Sequence, residues 1–507
     1  MEVTFGLILS SMVVVASLTW AVKLLNMFWL RPRKIEKFLR EQGLSGNPYK
    51  LIVGDMKDFM KCMNEEEPKS FEISDAHMPH VVPYEHRIIS KYGANCFYWL
   101  GPWARLAVTD PELIKEIVRR YDVFARPFPE LNRTLGAAGI LCVEGQEWVK
   151  RRKILDHAFH LDKLKNMAPV MGLSCSMMIQ KLKAAVATSS EVDIWPVIED
   201  LTGDVISRVA FGSSYEQGTR VFELIRQRVD LIMPLLQFFY LPGFKYLPTK
   251  SNRKVKAIRS EMKSILRGVI DQREKATPKD DLLGILLEAN SRFIQQEGGM
   301  SIEEVIEECE LFYLSGSKTV ASLLVWTVVM LCSYPEWQTQ AREEVNRVFG
   351  NSEPAIQGLH HLKIVTMILQ EVLRLYPTNA VIYRSSKEEV KIGSLTIPAG
   401  VHLSLLIGLI QTDPKIWGDD VNKFNPERFA QGVAKATNNQ PAVFTPFSSG
   451  PRICIGHNFA MIEAKLAIAT LLQHFSFQLS PSYKHAPFSL YKLRPQYGAP
   501  LILRPLH

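Results

Sequence analysis

The ten residues Phe447-Ser448-Ser449-Gly450-Pro451-Arg452-Ile453-Cys454-Ile455-Gly456 decide how this chain is read. Cys454 stands between two glycines, and the residues after it, with Ala460 and Ala464 at helical spacing, predict a helix that begins just past the turn. A cysteine at a helix N-terminus lies near exposed amide donors, which favour thiolate over thiol. The glycines permit a tight turn and the close approach of something flat. A cysteine taken at random is more often an inert buried thiol, so the rest of the chain has to decide between the two readings.

Of the 507 residues, 47% are hydrophobic and 22% charged, which is enough for a large core and excludes a disordered chain. Sixty Lys and Arg against 52 Asp and Glu leave a net charge of +8, without a long basic block. This suits an acidic protein surface or anionic lipid and gives nucleic-acid binding no support. The seven cysteines are scattered and form no C-x-x-C pair, against a disulfide scaffold or a Cys-rich zinc module and in favour of a reducing compartment. There is no H-E-x-x-H, no G-x-S-x-G, no phosphate loop and no dinucleotide fingerprint, so hydrolase and nucleotide-binding readings lose their usual grounds.

From Thr4 to Val22 nineteen residues pass without a charge. At 1.5 Å per residue they reach about 28 Å, close to the hydrocarbon thickness of a bilayer. A secretory signal would need a shorter apolar centre and a cleavage site, so residues 1–30 read as an uncleaved membrane anchor, with a buried core helix as the alternative. Glu2 alone precedes the span, whereas Lys23, Arg31, Arg33, Lys34, Lys37 and Arg40 follow it, which places the remainder on the cytosolic side. Residues 31–50, with Pro32, Gly43, Gly46 and Pro48, read as a basic, turn-rich linker to one large domain over 51–507.

That body is mainly α with a small β region. Its strongest element is Ser301 to Ser333, opened by a capping box of Ser301 and Glu304 and closed by Pro335. Its middle is almost wholly apolar except at Ser315, Gly316, Ser317, Lys318 and Thr319, an interruption that points to a cavity, because buried polar groups must be satisfied. A second helix runs from Leu362 to Leu375 before Pro377. Val390 to Leu403 reads as a short hairpin, and strands are expected there and at the carboxy end.

The pattern Phe-x-x-Gly-x-Arg-x-Cys-x-Gly at Phe447–Gly456 resembles the haem-binding loop of the cytochrome P450 family, whose cysteine thiolate is the axial ligand of haem iron and favours O–O cleavage. Glu371-Val372-Leu373-Arg374 is similar to the family's Glu-x-x-Arg helix, and Phe424-Asn425-Pro426-Glu427-Arg428-Phe429 to its later Pro-Glu-Arg-Phe segment. The resemblance implies a structural triad of Glu371, Arg374 and Arg428. Trp148 and Arg152 are similar to the family's Trp-x-x-x-Arg, so the resemblance assigns Trp148, Arg152, Arg452 and Arg384 to the haem carboxylates, for which guanidinium groups are suited.

The long helix resembles the family's oxygen-binding helix, in which an acid normally precedes a threonine. Here the threonine is Thr319, but Lys318 stands where the acid is expected and Val320 where a second hydroxyl is common. The resemblance gives Thr319 a part in proton delivery, and Ser315, four residues earlier, offers a hydroxyl path in place of the missing acid. Two other outcomes stay open: rearrangement, ring-opening or dehydration chemistry that needs fewer protons, and a terpenoid-binding haem protein without turnover.

The similarity covers nearly the whole chain and points to the plant branch that contains secologanin synthase, on Gln42–Tyr49, Asp280–Gly284, Val305–Cys309 and Ser482–Phe488. It implies the cytochrome P450 fold, haem b, and a reticulum enzyme fed by NADPH-cytochrome P450 reductase, whose flavins pass on the electrons, with cytochrome b5 as an optional second donor. The implied substrates are terpenoids: an iridoid such as loganin, loganic acid or 7-deoxyloganic acid, a triterpenoid, or a gibberellin. By family position the pocket is lined from Phe128 to Ile140, from Leu314 to Thr319, from Thr378 to Tyr383 and around Phe488 to Leu490.

Overall fold

A computed structural model of the chain describes residues 2–65, 71–73, 76–127, 129–135, 138–212, 215–238, 240–275, 281–296, 298–489 and 492–506. The contacts divide it into two compact units. The smaller comprises Met1–Glu66, Pro83–Pro127 and Tyr383–Leu406, and the larger Glu67–Val82, Phe128–Ile382 and Ile407–His507.

The smaller unit opens with the helix Glu2–Leu25, continued by a π-helical turn Asn26–Leu30 and a second helix Arg31–Glu41. Met12, Val13, Val15, Leu18 and Trp20 are all exposed, an arrangement stable against lipid tails rather than water. Residues 31–50 differ from the turn-rich reading: the positive charges ride on a helix whose Ile35 and Leu39 are buried, and the turns are confined to 42–50. Its five-stranded sheet is ordered Phe97–Leu100, Trp103–Val108, His402–Leu405, Ile382–Ser386, Phe124–Ala125. The first two form an antiparallel hairpin with Phe97 opposite Leu106, and the third joins in parallel with Arg105 opposite His402.

Those leading strands were not expected from the sequence. Phe-Tyr-Trp-Leu is buried at every position, so it shows no alternation of apolar and polar residues, and short apolar runs of that kind carry no period that separates strand from helix. The hairpin expected at 390–403 is shorter, Val390–Ile392 against Leu395–Ile397 around Gly393 at φ +53°, while His402–Leu405 belongs to the large sheet.

The larger unit is built on the helix Ile302–Ser333. Ser301 Oγ accepts the Glu304 amide at 3.3 Å and the Glu304 carboxylate accepts the Ser301 amide at 2.8 Å, which closes the capping box. The helix stops at Tyr334 because the residue before Pro335 is pushed out of the helical region. Its apolar window is 78% buried, against none of the amino-terminal one, so it is a core helix and not a span. It packs against Ile194–Phe211, Lys363–Leu375 and His457–His474. Gly316 makes the first contact close: a Cβ there would lie 2.8 Å from Ile206 Cδ1. Two small sheets, Pro487–Ser489 with Leu493–Pro495 and Glu191–Asp193 with Pro500–Pro505 and Phe475–Leu479, complete the unit. The molecule is thus mainly α-helical with a minor β content.

Candidate functional site

The segment Phe447–Gly456 is closed upon itself by backbone hydrogen bonds. The Cys454 amide donates to the Phe447 carbonyl at 2.9 Å, and the Ile453 amide donates to the Gly450 carbonyl at 3.0 Å across a 3-10 turn, Gly450–Arg452. Gly450 sits at φ +70°, which glycine tolerates, and Ser448 at φ +63°, which a serine adopts only at a cost. The helix His457–His474 follows directly, its N-cap Gly456 offering no side-chain acceptor to the first-turn amides. Cys454 is the one exposed cysteine of the seven. Burial pushes the Cys96 thiol up to about 11, and pushes Cys175, Cys309 and Cys332 up further, so those four stay inert thiols.

The helix Gly145–Ala158 meets this loop with two side chains one turn apart. Arg152 Nη1 donates to the Ile453 carbonyl at 2.8 Å, next to the cysteine, and its Nε faces Asp156 at 2.9 Å. The Arg452 guanidinium lies over the Trp148 ring at 4.7 Å from its centroid, and its Nη2 reaches Glu144 Oε2. Trp148, Arg152, Arg452 and Cys454 are thereby gathered in one place. Glu144 and Asp156, which hold the two arginines, had no signal in the sequence pattern. Arg384 lies in the smaller unit, buried on the strand Ile382–Ser386, with Nη1 donating to the Tyr383 carbonyl at 2.9 Å.

This donor set fits a haem. An exposed thiol on a closed turn suits a soft axial ligand, and two guanidiniums, one ordered by an indole, suit a pair of carboxylates.

Along the long helix every residue from Leu311 to Cys332 is buried except Ser315, Gly316, Lys318 and Thr319. The polar interruption is therefore also the breach in the burial. Thr319 Oγ1 donates to the backbone carbonyl of Ser315 at 2.7 Å, not to its hydroxyl. The Lys318 ammonium pairs with Glu199 on Ile194–Phe211. Ser317 turns inward and donates to the Tyr313 carbonyl at 2.9 Å.

Glu371 and Arg374 are wholly buried and form two hydrogen bonds, Nε to Oε2 at 2.8 Å and Nη2 to Oε1 at 2.7 Å. Arg428 Nε approaches Glu371 Oε1 at 3.5 Å and its Nη2 pairs with Asp420 at 2.6 Å. Arg374 also donates to the Gln411 carbonyl at 2.9 Å, and Glu371 accepts the Asn425 amide at 3.0 Å. The three residues act as a brace between the helix Lys363–Leu375 and the Pro426–Phe429 turn. Of the residues read as pocket lining, Phe128, Gly136, Ala137 and Leu490 lie outside the described residues, as does Asp280 of the lineage stretches.

A further cluster escaped the sequence reading. Arg151 of Gly145–Ala158 faces Glu147, Glu304, Glu307 and Glu308 at 2.9, 2.6, 3.5 and 3.1 Å. Burial pushes the Glu308 carboxyl up to about 7, although the Ile140 amide and Arg151 pull it back.

The cytochrome P450 family model matches residues 71–493. Among curated proteins the chain is 48% identical to "Cytochrome P450 CYP72A219" of Panax ginseng, over 100% of both chains. It is 46% identical to "7-deoxyloganic acid hydroxylase" of Catharanthus roseus over 100% of both, and 45% identical to "Echinocystic acid 23-monooxygenase" of Saponaria officinalis over 98% of both. Among solved structures, "Retinoic acid bound cyanobacterial CYP120A1" matches with a TM-score of 0.77 at 23% identity, over 91% of this chain and 99% of that one, which speaks for the fold. The cysteine loop, its arginines, the breached helix and a family match over more than four-fifths of the length converge on one conclusion: this chain belongs to the cytochrome P450 family, in its plant CYP72A branch, and is a haem-dependent monooxygenase.

Proposed function

We propose that the protein is a reticulum-anchored monooxygenase that takes electrons from NADPH-cytochrome P450 reductase and inserts one oxygen atom into a plant terpenoid, with an iridoid acid or a triterpenoid as the substrate class. Each turnover consumes the C–H substrate, one O2, NADPH and a proton, and yields alcohol, water and NADP+. Two relatives of near-equal identity are named for an iridoid acid and a triterpenoid acid, and this supports the class. The observation that carries the reading is Cys454, an exposed thiol on a turn that Arg152 and Arg452 hold.

Haem, with Cys454 toward its iron and its carboxylates toward Trp148, Arg152 and Arg452, would supply dioxygen activation. The chain's own part is to hold protons and exclude water. Thr319 Oγ1 is the proton-handling atom at the breach, with the Ser315 hydroxyl one turn earlier on the same half-exposed stretch, and Thr319 Oγ1 donates to the Ser315 carbonyl. Lys318, committed to Glu199, holds that side of the helix and leaves it without the usual acid.

The Lys318 substitution also favours a second reading, dehydration or ring opening. Microsomes carrying the protein and the reductase, supplied with NADPH and either 7-deoxyloganic acid or echinocystic acid, distinguish the two. Products richer by one oxygen atom support the proposal, and products without added oxygen support the second reading. No product from either, or from a wider iridoid, triterpenoid and gibberellin panel, overturns the substrate class.

A further inference from the structure

We propose that Glu308 is a positioning residue for substrate: its carboxylate clamps the turn Gly139–Leu141 onto the face of the long helix that carries Ser315 and Thr319, and so sets the shape of the cavity wall there. The proposal rests on the reading of that face as the oxidation site.

Glu308 is wholly buried on Ile302–Ser333, seven residues before Ser315 and eleven before Thr319. Those spacings place the three side chains in one row along the helix, Glu308 and Ser315 about 10 Å apart. The two carboxylate oxygens are divided between two other elements. Oε2 accepts the backbone amide of Ile140 at 3.0 Å, and Oε1 accepts Arg151 Nη1 at 3.1 Å. Gly139, at φ +59°, lets the turn come this close, because a Cβ on it would fall 2.5 Å from Glu308 Oε2.

An apolar residue at 308 would fill the same volume without taking a charge out of water, so stability alone does not account for this carboxylate. What it gives is a defined distance between turn and helix. Arg151 is itself fixed by Glu147 and Glu304, which makes Glu308 a rigid peg rather than one end of a loose pair. In the helix Pro129–Leu135, which precedes the turn in the chain, Leu131 and Leu135 pack with Ile232 and Met233, so the clamped turn follows an element that is itself anchored.

The test uses the full-length haem protein in lipid nanodiscs and the variant Glu308→Gln. An amide is uncharged and has a single oxygen, so in place of one of the two carboxylate oxygens it presents an NH2 donor to the Ile140 amide or to Arg151. Loss of a charge-assisted hydrogen bond predicts that the Ile140 amide exchanges with solvent about tenfold faster or more. The same variant is expected to bind clotrimazole, a bulky azole, with affinity altered about fivefold or more, while imidazole binding, read by the same Soret shift, stays at the parent value. Gly139→Ala, which drives the turn off an intact Glu308, is expected to reproduce both effects and keeps the test alive should Glu308→Gln fold poorly. Unchanged Ile140 exchange in the variants overturns the clamp. Faster exchange with unchanged selectivity between the two azoles overturns its role in shaping the cavity. A parent protein that binds neither azole would instead contradict the haem-thiolate reading and leave the clamp to be judged by Ile140 exchange.

Discussion

Cys454 and Cys309 are the same residue in opposite surroundings. One stands exposed on a turn beside a helix N-terminus, the other is buried in the long helix with its thiol pushed far up. The turn and helix start around Cys454 were legible in the sequence because its loop is a run of covalent neighbours whose spacing survives any fold. Pairings between distant residues were not: Glu199 lies 119 residues from Lys318, and nothing in the local pattern joins them. This pairing yields a prediction. In the double variant Lys318→Glu/Glu199→Lys the ion pair is kept with its polarity reversed, and a carboxylate returns to the position before Thr319. General acid–base groups contribute about a hundredfold or more where they act, so product formed per NADPH is expected to change by about tenfold or more, with peroxide release moving the opposite way. Equal coupling in parent and variant would show that position 318 has no bearing on proton delivery.

At the scale of elements, helix boundaries were readable and strands only in part: those expected near 390–403 and at the carboxy end are present, while the leading hairpin was not foreseen. Ser301, Glu304 and Pro335 mark the ends of the long helix by chemistry that acts within one turn, and its expected limits agree with the structure within a residue. The strands Phe97–Leu100 and Trp103–Val108 owe their place to partners far along the chain, His402–Leu405 among them, and such pairing leaves no trace in a four-residue apolar run. The brace formed by Glu371, Arg374 and Arg428 lies between these cases, since the first pair is local and the third member long-range. Both groups of the Glu371–Arg374 pair are fully buried, so removing one leaves the other uncompensated. Glu371→Ala is therefore expected to cost about 3–5 kcal/mol, read as a lower melting temperature of the Soret chromophore, with Glu371→Asp less affected. A loss within experimental error would mean that the brace is redundant.

At the scale of the whole molecule, the chain joins an apolar helix of 24 residues, exposed from Ser11 onward, to a body whose core is the buried helix Ile302–Ser333. Composition foretold both, but burial alone separates them: a lipid-facing helix and a core helix have the same apolar content and differ in what covers them. The division into two compact units was not legible, because the smaller is assembled from three stretches of chain, the last of which begins at Tyr383, far beyond the end of the second at Pro127. The proposed oxygenation nevertheless depends on one sulfur. The direct test is the carbon monoxide difference spectrum of the reduced full-length protein beside that of Cys454→Ser, both expressed with haem available. Thiolate ligation by Cys454 predicts the strongly red-shifted Soret band in the parent and its absence in the variant. The same band in both proteins, or a parent that takes up no haem, would contradict it.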